Sequence, residues 1–129
     1  MPILDTFWSI RFGKKPEALT KIEALEATSS PLETTTVDTL ELYKGIYRSE
    51  SVRYNMLEVQ AILEAVTELV LSDGTYEMFG SLAAHLQQNG RPIGDFDELI
   101  AAIGICNDGV IVTRDRHFSR IPGLTDKTY

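Results

Sequence analysis

The amino-acid sequence predicts an α/β fold, a parallel sheet covered by helices on both faces, and three observations predict it. Short apolar runs alternate with stretches of helical periodicity along the chain, the pattern of repeated β-α-β units. The length of 129 residues is that of one domain, taken here as residues 1–129. The composition, 43% apolar and 24% charged, is close to the globular average and supplies enough apolar surface for a core.

Pro2 to Leu4 is a short apolar run ending at Asp5 and reads as the first strand. Lys15 to Ala27 carries Leu19, Ile22 and Leu25 every three residues, with Pro16 suited to a first helical turn, and reads as a crossover helix. Glu33 to Val37 is rich in β-branched threonine and reads as a second strand, followed by a helix from Thr39 to Tyr47 around Glu41. From Arg53 to Glu68 the apolar set Met56, Val59, Ile62, Leu63 and Val66 follows helical spacing and leaves Glu58, Glu64 and Glu68 for water. Leu69 to Leu71 reads as a third strand running into a helix cap at Ser72-Asp73-Gly74. The next helix passes through Tyr76, Phe79, Leu82 and Leu86, ends at Asn89-Gly90 and is blocked by Pro92. Asp95 to Cys106 opens as a capping box, Asp95 capping and Glu98 reaching back, and its apolar run predicts a mostly buried helix with Cys106 as a small buried residue. Val110 to Thr113 is a fourth strand ending near Asp115, and Leu124 to Tyr129 a short edge strand after the Pro122-Gly123 turn.

Nineteen acids against twelve Lys and Arg give a net charge of −7, which excludes a uniformly basic nucleic-acid coat but leaves room for a local basic path. One cysteine, Cys106, excludes a disulfide framework, and two histidines, His85 and His117, exclude a structural zinc site. Neither a secretory leader nor a membrane span is expected, so the default compartment is the cytoplasm.

In open parallel sheets ligands bind outside the carboxyl ends of the strands, where strand order reverses. Asp5 and Asp115 follow strands, while Glu41 and Asp97 fall in or near the first turns of helices, so right-handed crossovers bring all four to one edge. Carboxylates about 5 Å apart repel by on the order of 3 kcal/mol at an effective dielectric near 20, so four together need neutralising. Proton uptake is one route, and Mg²⁺ or Mn²⁺ is the better match for an all-carboxylate set. The same residues also have ordinary roles: Asp95 and Asp97 as helix-start acids, Glu41 on a solvated face, Asp5 and Asp115 in turns.

Five segments carry a family resemblance: Ile3-Leu4-Asp5-Thr6, Thr39-Leu40-Glu41-Leu42-Tyr43-Lys44-Gly45, Gly90 through Ala102, Val112-Thr113-Arg114-Asp115-Arg116-His117-Phe118, and Ile121-Pro122-Gly123-Leu124. In order along the chain they resemble a PIN-domain ribonuclease, in particular a VapC-type toxin of a type II toxin–antitoxin pair. The resemblance implies a three-layer α/β/α fold with a mainly parallel sheet of four to five strands. It also implies a Mg²⁺ or Mn²⁺ site at Asp5, Glu41, Asp97 and Asp115, with Thr113 as the hydroxyl residue orienting a carboxylate or a bound water. RNA as substrate, a small cognate antitoxin whose tail enters the crevice, and homodimerisation through helices are implied as well. One departure is visible: Phe7 stands where the family usually has an Asn-type residue supporting the first acid.

Hydrolysis of a phosphodiester needs a water made nucleophilic at neutral pH and neutralisation of the developing charge, both of which divalent metal supplies. Lys44 and Arg48 share a helical face with Glu41, and Arg114 and Arg116 flank Asp115, so these are the candidate RNA contacts; Arg11, Lys14, Lys15 and Arg120 are weaker ones. His117 either donates to a phosphate or packs at the surface. Trp8, Phe12, Tyr43 and Tyr47 would suit an apolar groove for the antitoxin. A different class of function, a non-catalytic PIN-like module that binds RNA or protein, stays open because of Phe7. A receiver-like phosphoacceptor domain is the weakest reading, since paired acids at the first strand and a Lys after the last are absent.

Overall fold

The computed structural model describes residues 3–4, 33–64, 66–113 and 115–127. Five strands form one sheet: β1 (Ile3–Leu4), β2 (Glu33–Thr35), β3 (Thr67–Leu69), β4 (Val110–Val112) and β5 (Thr125–Lys127). Their order is β3-β2-β1-β4-β5 and each neighbouring pair is parallel. Helices α1 (Thr36–Arg48) and α2 (Val52–Glu64) connect β2 to β3, and α3 (Asp73–Gln88) and α4 (Asp95–Cys106) connect β3 to β4. The expected helix at Lys15–Ala27 lies outside the described residues. The connection from β2 to β3 steps outward and that from β3 to β4 returns across the sheet, so right-handed connections would set their helices on opposite faces. The reversal falls between β1 and β4, where Leu4 stands in register with Val112.

Helix α4 centres the core. Its Ile100, Ala101 and Ile103 pack with Leu82 and Leu86 of α3, Val37 of α1, Ile111 of β4, and Phe118 and Ile121 beyond β4. Asn107, just past α4, donates from Nδ2 to Oε1 of Glu33 at 3.0 Å, so the carboxyl end of α4 meets the start of β2. Its first turn therefore lies toward the carboxyl ends of the strands. Helix α3 starts on a capping box of Ser72 and Thr75 and ends at Gln88, with Gly90 in the left-handed region two residues on. There the N–H groups of Gly90 and Arg91 donate to the carbonyls of Gln87 and Leu86, closing the last turn as a Schellman motif.

Several boundaries differ from the sequence expectation, each for a local reason. The second strand stops at Thr35 rather than Val37, because the Thr35 hydroxyl accepts from the Asp38 N–H at 3.0 Å and caps α1. Threonine favours both strands and caps, so composition alone could not separate the two. The third strand is Thr67–Leu69 rather than Leu69–Leu71, and α2 accordingly ends at Glu64 instead of Glu68. As the edge of the sheet, β3 exposes Thr67 and Glu68 and has no need of an apolar run, while Val70 and Leu71 face solvent.

Asp95 does not cap α4. The chain enters that helix through Gly94 at φ +106°, a conformation suited to glycine, so Asp95 is already the first helical residue. Glu98 does reach back, but to the Ile93 N–H at 3.2 Å. Cys106 is exposed rather than buried, at the last turn of α4 with Sγ 3.6 Å from the Gly74 carbonyl. A 3₁₀ helix at Arg116–Arg120 was not foreseen.

Candidate metal centre

Three residues after β4 comes Asp115, and its position is set by the chain on both sides. The Asp115 N–H donates to the hydroxyl of buried Thr113 at 3.0 Å, and the Asp115 side chain caps the 3₁₀ helix by accepting the His117 N–H on Oδ1 at 2.9 Å. Thr113 thus fixes the main chain of the acid. Phe118, fully buried, anchors the same short helix to the core. Asp97 sits in the first turn of α4, half-buried, on the helix whose following residues form the core.

These two acids meet. One ligand atom from each of Asp97, Asp115 and His117 lies within 4.8 Å of the other two. The His117 Nδ1 is 2.9 Å from the Asp115 Oδ1, with the two side chains 51% and 36% exposed. Two carboxylates at that separation repel by about 3 kcal/mol at an effective dielectric near 20, reduced by solvent at the open side. The donor set, two carboxylates with an imidazole at its rim, fits a divalent cation.

The other expected residues are placed as follows. Glu41 is half-buried on α1 and stands outside that 4.8 Å group. Asp5 and Arg114 lie outside the described residues, although β1 ends at Leu4 directly beside Val112. Lys44, Arg48 and Arg116 are exposed. Of the groove candidates, Tyr47 is 69% exposed, Tyr43 is half-buried, and Trp8 and Phe12 lie outside the described residues.

Two placed polar residues carried little sequence signal. His117 comes into the acid pair only because Asp115 starts a 3₁₀ turn, which brings position i+2 back onto the carboxylate. Asp38, 1% exposed, accepts the Thr35 hydroxyl on Oδ2 at 2.8 Å, one helical turn before Glu41. Its i, i+3 spacing from Glu41 and its place three residues after a threonine were the available clues.

A family model described as PIN domain matches residues 3–124. The chain belongs to the PIN-domain family. Among its PIN-domain relatives, it is similar to the tRNA(fMet)-specific endonuclease VapC of Salmonella typhimurium, 27% identical over 124 residues, 95% of this chain and 92% of that one. It is also similar to Ribonuclease VapC2 of Rickettsia felis, 27% identical over 113 residues, 87% and 84% of the two chains. The crystal structure of DNA-bound VapBC from Salmonella typhimurium matches with TM-score 0.86 at 25% identity, covering 99% of this chain and 98% of that one. The resemblance to VapC-type PIN domains and the α/β fold it implies are borne out.

Proposed function

We propose that this chain, one PIN-like domain over residues 1–129, is an endoribonuclease that hydrolyses RNA phosphodiester bonds with Mg²⁺ or Mn²⁺, as the toxin of a toxin–antitoxin pair in the cytoplasm. The observation that carries the reading is the meeting of Asp97 and Asp115 beyond the carboxyl end of β4, in a PIN-family chain whose relatives are named endonuclease and ribonuclease. Among the described residues no helix is long and apolar enough to cross a membrane.

Asp97 and Asp115 would hold the ion, and Asp5 and Glu41 would complete its carboxylate set. When bound, the ion supplies positive charge beside the scissile phosphate and makes water nucleophilic at neutral pH. Thr113 keeps the Asp115 main chain in place, so the carboxylate is oriented before substrate arrives. Exposed Lys44, Arg48 and Arg116, with Arg114, would bind the flanking phosphates and set the register of the RNA. They would offset the −7 net charge, which by itself repels a polyanion.

The similarity to a VapBC structure supports a cognate antitoxin as partner. Leu40, Tyr47, Tyr54 and Leu57, each more than 60% exposed on α1 and α2, offer it an apolar face, and pairing through helices would give a homodimer. The test is Asp97→Asn, which removes one anionic ligand and preserves shape. RNA cleavage should fall by about 100-fold or more while the melting temperature holds. Cleavage at the wild-type rate by a variant purified free of other nucleases would refute the proposal.

A further inference from the structure

We propose that His117 contributes a nitrogen ligand to this centre and thereby makes it favour Mn²⁺ over Mg²⁺; the inference rests on the metal-nuclease reading above. The backbone that carries the ring is held by two ties. Its own main-chain N–H donates to Asp115 Oδ1 at 2.9 Å, and the next residue, Phe118, is fully buried, so the backbone at position 117 has little freedom to move away from the acids. The ring Nδ1 then lies 2.9 Å from that same oxygen.

That separation is a hydrogen-bond length, and it is also the edge of a coordination shell: donors at right angles on an ion with bonds of about 2.1 Å stand about 3.0 Å apart. Opposite donors on such an ion stand about 4.2 Å apart, which the 4.8 Å bound on Asp97, Asp115 and His117 accommodates. A carboxylate oxygen has two lone-pair directions, so Asp115 Oδ1 can keep the main-chain N–H and still face an ion. With 51% of its side chain exposed, His117 can turn either ring nitrogen toward the acids without disturbing the core.

The chemistry of that third donor decides the metal. Mg²⁺ strongly favours oxygen ligands and dehydrates reluctantly, whereas imidazole suits first-row transition ions. Two carboxylates without the ring hold either ion; adding imidazole nitrogen strengthens Mn²⁺ selectively. A residue that merely oriented Asp115 would instead support both ions alike.

The experiment compares wild type with His117→Ala and His117→Gln, reading Mn²⁺ binding by paramagnetic resonance of the free ion and Mg²⁺ binding by calorimetry. In both variants the Mn²⁺ Kd should rise by about 10-fold or more, with the Mg²⁺ Kd changed less than about 2-fold. The electron spin-echo spectrum of Mn²⁺ on the wild type should show nitrogen-14 coupling, and His117→Ala should lose it. Since His117 is exposed, circular dichroism should show both variants folded. Absence of nitrogen coupling in the wild type, or equal loss of both ions in the variants, overturns the inference alone and leaves the proposed nuclease standing if Mn²⁺ still supports RNA cleavage. Failure of the wild type to bind Mn²⁺ while it binds Mg²⁺ also overturns the inference alone, and failure to bind either ion overturns both.

Discussion

The region from α4 through the 3₁₀ helix buries most of its large apolar residues, whereas the helices between β2 and β3 bury one set and leave another open to solvent. In the first, Ile100, Ala101, Ala102, Ile111, Val112 and Phe118 are wholly buried, and the acids Asp97 and Asp115 sit at the ends of the elements they belong to. In the second, Val37, Leu42, Ile46 and Val59 are buried, but Leu40, Tyr47, Tyr54 and Leu57 on the same two helices face solvent. A metal centre needs donors fixed to within a fraction of an ångström, which close packing behind them provides. A partner surface needs apolar area that stays open until something covers it. On the function proposed above, the difference would set rigid donor placement in the first region and an open apolar surface for a partner in the second.

The sharpest way to break that division is Phe118→Ala. It empties a fully buried site behind Asp115 and His117, and should cost about 3–5 kcal/mol in denaturant unfolding, with RNA cleavage lost in parallel. Thr35→Ala strikes the start of the second region: it removes the cap of α1 and the hydroxyl donor to buried Asp38. A loss of about 2 kcal/mol is expected by the same measurement. Leu57→Ser lies at the other extreme. On an exposed helix face it should move stability by less than about 0.5 kcal/mol, yet weaken antitoxin binding measured by calorimetry. A large stability loss from Leu57→Ser would show that this face is already covered within the fold.

Much of this division was legible in the residues. The apolar run after Asp97 marked α4 as buried, and the strand read from Val110 to Thr113, one residue longer than β4, put Asp115 at the binding edge, because burial patterns and strand ends are local properties. Of the two edge strands β3 was not legible: it borrows its stability from pairing with β2, so Thr67 and Glu68 carry no apolar signal, while exposed Val70 and Leu71 imitate one. The start of α4 was misread for a similar reason. Asp95 and Glu98 have capping chemistry, but the positive φ of Gly94 decides where the helix begins. His117 joined the acids only through the 3₁₀ turn, a three-dimensional consequence of Asp115 capping that no periodicity announces.

The central claim is that Asp97 and Asp115 make RNA hydrolysis depend on a divalent ion, and cleavage by metal-stripped protein as Mn²⁺ or Mg²⁺ is restored tests it most directly. The wild type should be inactive in excess chelator and recover fully on adding the ion, while Asp97→Asn and Asp115→Asn stay inactive across the same titration. Cleavage by the wild type in chelator, or recovery of either variant to the wild-type rate, would contradict the account.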